Sequence, residues 1–174
     1  MRIYLSLVLL FFSSSLMAQQ LDDLQVNFKI KNIGTYAKGK FSEANIEGRF
    51  DLKQLDSSYL RAIIQVKSVD TGIAKRDKHL LEPDYFDATS FPEIRFISNR
   101  IERHADQRYT VHGTLAIKGK KRKITLDLIL TKESGSALAS SEFELRRKDF
   151  GVGGKSWILS DKVKAQIQFR IRGK

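Results

Sequence analysis

Apolar and polar residues alternate along most of the chain with a period of two, which is typical of strands that bury one face. In one such stretch, Tyr109, Val111, Leu115 and Ile117 are separated by polar or small residues. The alternation predicts about eight strands that are joined mostly by short turns. These strands cover residues 24–31, 44–52, 59–68, 94–101, 109–118, 124–130, 139–147 and 162–171.

Short strands with one apolar face each favour an all-β, antiparallel meander. An open sheet of this size would leave edge strands free to pair with other molecules, and closure removes those edges. We therefore predict an antiparallel barrel of about eight strands, wide enough inside for side chains or one small ligand. Strands of about nine residues, tilted by about 40°, give an expected barrel height of roughly 23 Å.

The segment 68–96 interrupts the alternation between the third and fourth predicted strands. Pro83 ends a short predicted helix there, because a proline disfavours helical geometry in the residue before it. The segment is highly charged but also contains an apolar cluster: Leu80, Leu81, Tyr85, Phe86 and Phe91. Two interpretations remain open, a helix that packs on the sheet to cover the core, or a helical plug over the mouth of the barrel.

This segment also resembles the YceI-like family of periplasmic proteins. It contains Ser-x-Asp-Thr-Gly at 68–72, Lys-Arg-Asp-x-His-Leu at 75–80, Pro-Asp-x-Phe-Asp at 83–87 and Phe-Pro-x-Ile-x-Phe at 91–96. Residues 113–119, 124–128 and 147–151 are similar to further family strands. The chain departs from the family before its first strand, where Asp23 and Leu24 replace the usual His-Ser pair.

The resemblance implies a lipocalin-like barrel with a long hydrophobic cavity. It further implies a polyisoprenoid ligand, such as an isoprenoid quinone or a prenyl phosphate, and no cofactor apart from that bound lipid. The side chains that we expect along the cavity are Phe28, Ile30, Phe50, Ile64, Val66, Phe96, Leu115, Leu126, Phe143 and Phe169, with Leu80 and Phe86 from the plug.

Arg147 has the inward parity of its predicted strand, so its guanidinium needs a partner inside the protein. Asp77 or Asp149 could form that pair. In the alternative interpretation, Arg147, Arg76 or His79 contacts the polar head of a ligand at the mouth, because arginine recognises phosphate through paired donors.

Residues 1–18 have the pattern of a secretory signal peptide, with Arg2, an apolar run and small residues before a cleavage site after Ala18. The apolar run is shorter than the roughly 20 residues that span a bilayer. We therefore expect export to the periplasm and a single barrel domain over residues 19–174. The sequence contains no cysteine, which excludes disulfides and thiolate chemistry.

The formal net charge of +11 suggests an anionic partner. The predicted export argues against nucleic acid and leaves an anionic membrane surface as a candidate. The run Lys-Lys-Arg-Lys at 120–123 is either a solvated hairpin tip that blocks edge pairing or a contact with anionic lipid. Monomer and homodimer both remain open.

The sequence contains no recognisable catalytic or metal-binding motif. His79, His104 and His112 lack metal-ligand spacing, and residues 151–156 lack the first glycine of a phosphate loop, because that position is Asp149. We therefore expect a binding protein and not an enzyme. The alternatives are an enzyme that acts on a lipid or quinone head group at the mouth, and a surface-binding protein with a filled barrel.

Overall fold

The computed structural model describes residues 20–172, so the predicted signal peptide lies outside the described residues. The strands are β1 Gln20–Asn32, β2 Thr35–Phe41, β3 Ala44–Arg49, β4 Tyr59–Gln65, β5 Val69–Asp70, β6 Glu93–Ala105, β7 Arg108–Ile117, β8 Lys120–Glu133, β9 Ser136–Arg146 and β10 Leu159–Arg172. A short helix, α1 Ala74–Leu80, lies between β5 and β6 in the chain. The predicted all-β antiparallel class is confirmed.

The ten strands form one sheet in the order β3-β4-β6-β7-β8-β9-β10-β1-β2-β5. The sheet curls into a half-barrel, and β1 runs alongside β3 where the sheet turns back on itself. The prediction of a closed, eight-stranded barrel is wrong in strand number and in closure, since the ladder within residues 20–172 does not join β3 to β5.

The two additional strands have sequences that carry little signal. The inward face of β2 consists of Ala37, Gly39 and Phe41, so it lacks the run of large apolar side chains that marks a strand. β5 has two residues and follows a 3₁₀ turn at Val66–Ser68, which replaces the last three residues of the third predicted strand. All eight predicted strands are present in the sheet besides these two.

Several strands are longer than expected. β8 and β10 have 14 residues each, which corresponds to about 46 Å of extended chain. At the tilt assumed above, such strands give a height of roughly 35 Å. The expected strand length of about nine residues is therefore too short for these two strands, because they continue through polar ends such as Lys120–Lys123, where no alternation marks a strand.

The connections divide between two ends of the half-barrel. The β1–β2 turn, residues 66–92, the β7–β8 turn and residues 147–158 lie at one end, which we call the mouth end. Residues 50–58 and the β6–β7 and β8–β9 turns lie at the other end, which we call the floor end.

Close-packed side chains fill the floor end. Phe50 and Val111 have no exposed surface, and Tyr109 is 3% exposed. The rings of Phe50 and Tyr109 meet edge to face with centroids 5.3 Å apart. A bulge in β6 between Ser98 and Arg100 changes the inward parity of that strand, so that Ile101 also points into this packed region.

Gly48 allows the chain to leave β3 and bring Phe50 inward. Its φ of +147° is rarely adopted by other residues, and a Cβ placed there would lie 2.1 Å from the carbonyl oxygen of Tyr59. The close approach of β3 to β4 therefore requires glycine at this position.

We expect Gly48→Ala to reduce the free energy of unfolding by about 1–3 kcal/mol or more, because the added methyl group must displace a backbone carbonyl. The matched control is Gly154→Ala, since a Cβ at that position meets no atom within 4 Å. Urea denaturation measures both values. Equal stability of the two variants would contradict the proposed role of Gly48.

Candidate ligand-binding cavity

One cavity of about 360 Å³ extends from the mouth end into the interior, and its lining reaches as far towards the floor as Leu60, Leu128 and Phe169. Its walls are the inward faces of strands from β1 to β10, and residues 71–86 contribute further side chains. The volume lies in the range of ligand pockets, roughly 300–1,000 Å³. The interior is therefore divided into a solid floor and a hollow, almost wholly apolar upper part.

Ten of the twelve predicted cavity residues line this space: Phe28, Ile30, Ile64, Leu80, Phe86, Phe96, Leu115, Leu126, Phe143 and Phe169. The other two, Phe50 and Val66, do not. Phe50 follows the end of β3 and belongs to the floor. Val66 begins a 3₁₀ turn, where the period of two no longer applies, and its N–H donates to the carbonyl of Pro92.

Sequence reasoning missed several lining residues in the overlooked strand and in the mouth loops. Phe41 from β2 lies 5.6 Å from the ring of Phe28 and 5.9 Å from that of Phe86. Phe150 and Val152 enter the cavity from the segment that follows β9. Phe41 could have been predicted from the sequence, since it shares the parity of Ala37 and Gly39. Phe150 and Val152 could not, because no alternation of apolar and polar residues marks the loop that carries them.

The segment 74–92, which we call the plug segment, is tied to the mouth loops. Leu80, Tyr85 and Phe86 line the cavity. The N–H of Gly153 donates to the carbonyl of Asp84 at 2.8 Å. The Lys118 ammonium donates to the carbonyls of Pro83 and Gly151 at 2.6 and 3.0 Å.

Thr71 is bound by two side chains of α1. The N–H of Thr71 donates to Oδ1 of Asp77 at 2.9 Å, and its hydroxyl contacts the same oxygen. Arg76 donates from Nε to the Thr71 hydroxyl at 2.7 Å and from Nη2 to the Thr71 carbonyl at 2.9 Å. Two of the three guanidinium nitrogens are thereby used, and Arg76 and Thr71 both line the cavity.

Other polar groups also reach the cavity. His79 lines it, with Nε2 located 3.7 Å from a carboxylate oxygen of Asp84 and its ring 4.8 Å from that of Tyr85. Asn32 lines it as well, and the side-chain carbonyl of Asn32 is buried without a hydrogen-bond partner among residues 20–172. Burying an amide oxygen without a hydrogen bond costs free energy. Asn32 is therefore a polar site in the cavity that the sequence did not indicate.

Arg147 is 5% exposed and is bound by the loop that follows it. Nη1 donates to the carbonyls of residues 152, 153 and 154 at 2.8–3.0 Å, and Nε donates to the carbonyl of Ser160 at 2.9 Å. Nη2 lies 3.2 Å from Asp161 and 3.4 Å from the carbonyl of Leu159. The predicted partners Asp77 and Asp149 are thus wrong.

The Arg147 partners all follow it closely in the chain, at the two ends of the loop 151–158, where no strand pattern predicts their positions. Lys148 also pairs with Asp161 at 2.8 Å. That hydrogen bond lowers the pKa of the Asp161 carboxyl below its usual value, and the charge of Arg147 acts in the same direction. Arg147 therefore fixes the base of the loop, and its donors are committed to protein acceptors.

We expect Arg147→Met to destabilise the protein by about 2–4 kcal/mol, because several buried carbonyls would lose their donor. Hydrogen exchange should accelerate at the amides of residues 151–159. Lys148→Met is the matched control, since it removes the exposed partner of Asp161, and it should change exchange much less. Unchanged exchange in Arg147→Met would show that the loop does not depend on this side chain.

The described residues 20–172 bring together no group of three or more His, Cys, Asp or Glu side chains that could hold a metal ion. None of the helices in the same range has the length and apolar character that crossing a membrane requires.

A family model described as YceI-like domain matches residues 20–172. The chain is 31% identical over 134 residues to a UPF0312 protein of Yersinia enterocolitica, covering 73% of this chain and 69% of that protein. The fold is similar to BcnA of Burkholderia cenocepacia, with a TM-score of 0.80, 24% identity and coverage of 84% and 95% of the two chains. It is also similar to a polyisoprenoid binding domain of Saccharophagus degradans, with a TM-score of 0.68, 13% identity and coverage of 90% and 99%.

Proposed function

The chain belongs to the YceI-like domain family, and on that premise we propose that it holds a long isoprenoid lipid in its cavity, for carriage or sequestration. The observation that carries this proposal is the apolar cavity of about 360 Å³ above a solid floor. A filled barrel would leave no room for a ligand, so the hollow interior favours binding over a purely structural role.

The structural neighbour from Saccharophagus degradans, described as a polyisoprenoid binding domain, supports this ligand class. We propose an isoprenoid quinone or a prenyl phosphate as the ligand. Each buried methylene contributes about 0.8 kcal/mol before the costs of binding. Tail length alone therefore discriminates poorly until the cavity is full, and the head group should supply specificity.

The distribution of polar groups suggests the orientation of the lipid. Phe50 and Tyr109 close the floor, whereas Arg76, His79 and Asn32 line the cavity as polar groups. A ligand with one apolar tail and one polar head would place the tail towards the floor and the head beside these side chains. In this arrangement, the plug segment covers the tail from the mouth end.

The family assignment and the structural neighbours favour a binding protein over an enzyme. We propose that this protein acts by binding a lipid. Export through the predicted signal peptide would place it in the periplasm, where a carrier could shield an insoluble chain from water. The alternative is an enzyme that acts on a lipid or quinone head group. A catalytic acid or base would then be required beside Arg147 or His79 at the mouth, and removing that group would abolish turnover of the head group.

Native mass spectrometry of protein purified from a bacterial host tests the proposal. We expect a co-purified isoprenoid in the wild type and its loss in Phe143→Arg, because the substitution places a charge in an apolar cavity. Ile129→Arg is the matched control: Ile129 is 45% exposed, so the same substitution should leave the bound lipid in place.

Ala165→Phe provides a second test that adds no charge. Ala165 lines the cavity and pairs with Phe143 across the sheet, so a larger side chain should occupy ligand space. The proposed function would be refuted if wild-type protein carried no lipid and also failed to bind added quinone and prenyl phosphate.

We expect Arg76→Met to weaken binding of a prenyl phosphate by roughly tenfold to a hundredfold, the range of a hydrogen bond to a charged group. Affinity for the corresponding prenyl alcohol should change much less. Lys78→Met is the control, since this exposed cation lies on the same helix. Equilibrium binding with matched thermal melts measures the effect, and equal losses for phosphate and alcohol would exclude a head-group contact.

A further inference from the structure

Three of the exposed apolar side chains at the mouth end lie on two neighbouring loops, the β1–β2 turn and the loop 151–158. Trp157 is fully exposed, Ile33 is 71% exposed and Ile158 is 57% exposed. The N–H of Ile33 donates to the carbonyl of Ile158 at 3.2 Å, so the two loops that carry them are joined. We call Ile33, Trp157 and Ile158 the mouth tip. Single exposed apolar residues are common, but three on joined loops form a patch.

The mouth tip is displayed on a fixed base. Arg147 binds the carbonyls of residues 152–154 before the tip and of residues 159 and 160 after it. The Ser156 hydroxyl accepts from the N–H groups of Ile158 and Leu159 at 3.3 and 3.0 Å. These bonds hold Trp157 at the apex of the loop, where it does not fold back onto the core.

The tip is continuous with the cavity. Ser156, Ile158 and Leu159 line the cavity, and Trp157 lies between them in the chain. A surface that received the tip would therefore lie directly against the opening. That arrangement distinguishes the tip from exposed apolar residues elsewhere, such as Ile129 on the outer face of β8.

Basic side chains surround the tip. Lys155 belongs to the same loop, and Lys31 lies near the end of β1, two residues before Ile33. The Lys120 side chain packs against Gly151, which places the β7–β8 turn beside this loop. We call Lys31, Lys120 and Lys155 the lysine collar, and all three are exposed.

Other charges at the mouth end are mixed. The plug segment carries exposed Glu82 and Asp84 together with exposed Lys75 and Lys78. Tyr36, which pairs with Lys31 across β1 and β2, is 51% exposed and adds a second amphipathic ring near the tip. The exposed charges of the plug segment are thus two acidic and two basic side chains, whereas the three collar residues are all basic.

We propose that the mouth tip and lysine collar dock on an anionic lipid bilayer, with Trp157 inserted at the interface and the cavity opening held against it. Tryptophan and tyrosine rings favour the boundary between head groups and acyl chains. Lysines near the surface are attracted to anionic head groups, and this attraction is weakened by salt. The combination of an apolar tip with a basic collar fits a bilayer.

The protein provides its own probe, because Trp157 is the one tryptophan in the sequence. Its emission should shift to the blue when vesicles of phosphatidylglycerol and phosphatidylcholine are added at low salt. Pure phosphatidylcholine vesicles should give a smaller shift, since the collar then lacks anionic partners. Co-sedimentation with the same vesicles measures the affinity.

The variants separate the two parts of the surface. We expect Trp157→Ser and Ile158→Ser to weaken co-sedimentation by roughly tenfold each, because each removes apolar area that enters the bilayer. Lys31→Glu and Lys155→Glu should each weaken it by roughly fivefold or more on anionic vesicles. Ile129→Ser is the matched control and should bind like the wild type.

Phe143→Arg distinguishes this proposal from the proposed function. It should lose the isoprenoid yet retain vesicle binding, so either proposal can fail alone. Absence of binding to anionic vesicles at low salt, or binding unaffected by both tip variants, would overturn the docking proposal. A blue shift that appears without vesicles as protein concentration rises would also overturn it, in favour of a second copy of the chain.

Discussion

The structure depends on one constraint: within residues 20–172, a single curled sheet must bury its apolar face without a second sheet to pack against. At the floor end, the rings of Phe50 and Tyr109 meet edge to face, and Val111 beside them is fully buried. Towards the mouth, small residues such as Ala62 and Ala165 contribute to the same face, and opposite walls leave a cavity. Rings such as Phe28, Phe96 and Phe143 line the same cavity. A hollow of this kind is unusual, because protein interiors otherwise pack without voids.

The mouth is organised by polar contacts that connect elements far apart in the chain. Arg147 holds both sides of the loop 151–158, and Lys118 connects the plug segment with the same loop through Pro83 and Gly151. Since these contacts use backbone carbonyls, they fix the positions of the loops without specifying their side chains. The loop residues are therefore available for contacts with a ligand or a surface.

The period of two predicted much of the fold and of the cavity, because strand parity determines which side chains face inward. It failed where the period is broken. Val66 and Phe50 are both buried, as their parity predicts, but Val66 lies in a 3₁₀ turn and Phe50 in the packed floor, so neither lines the cavity. The weak apolar face of β2 concealed that strand, and the partners of Arg147 depend on a loop whose path has no periodic signal.

The solid floor has a consequence for the kinetics of exchange. A pocket closed at one end admits and releases a long chain through the same opening, so the tail must enter first and leave last. The end of the tail has the longest path out of the cavity. The residence time of the bound lipid should therefore lengthen with each added isoprene unit, even where its affinity no longer rises. If the proposed isoprenoid is the ligand, its head would stay at the opening, where an acceptor could take over the chain without releasing it into water.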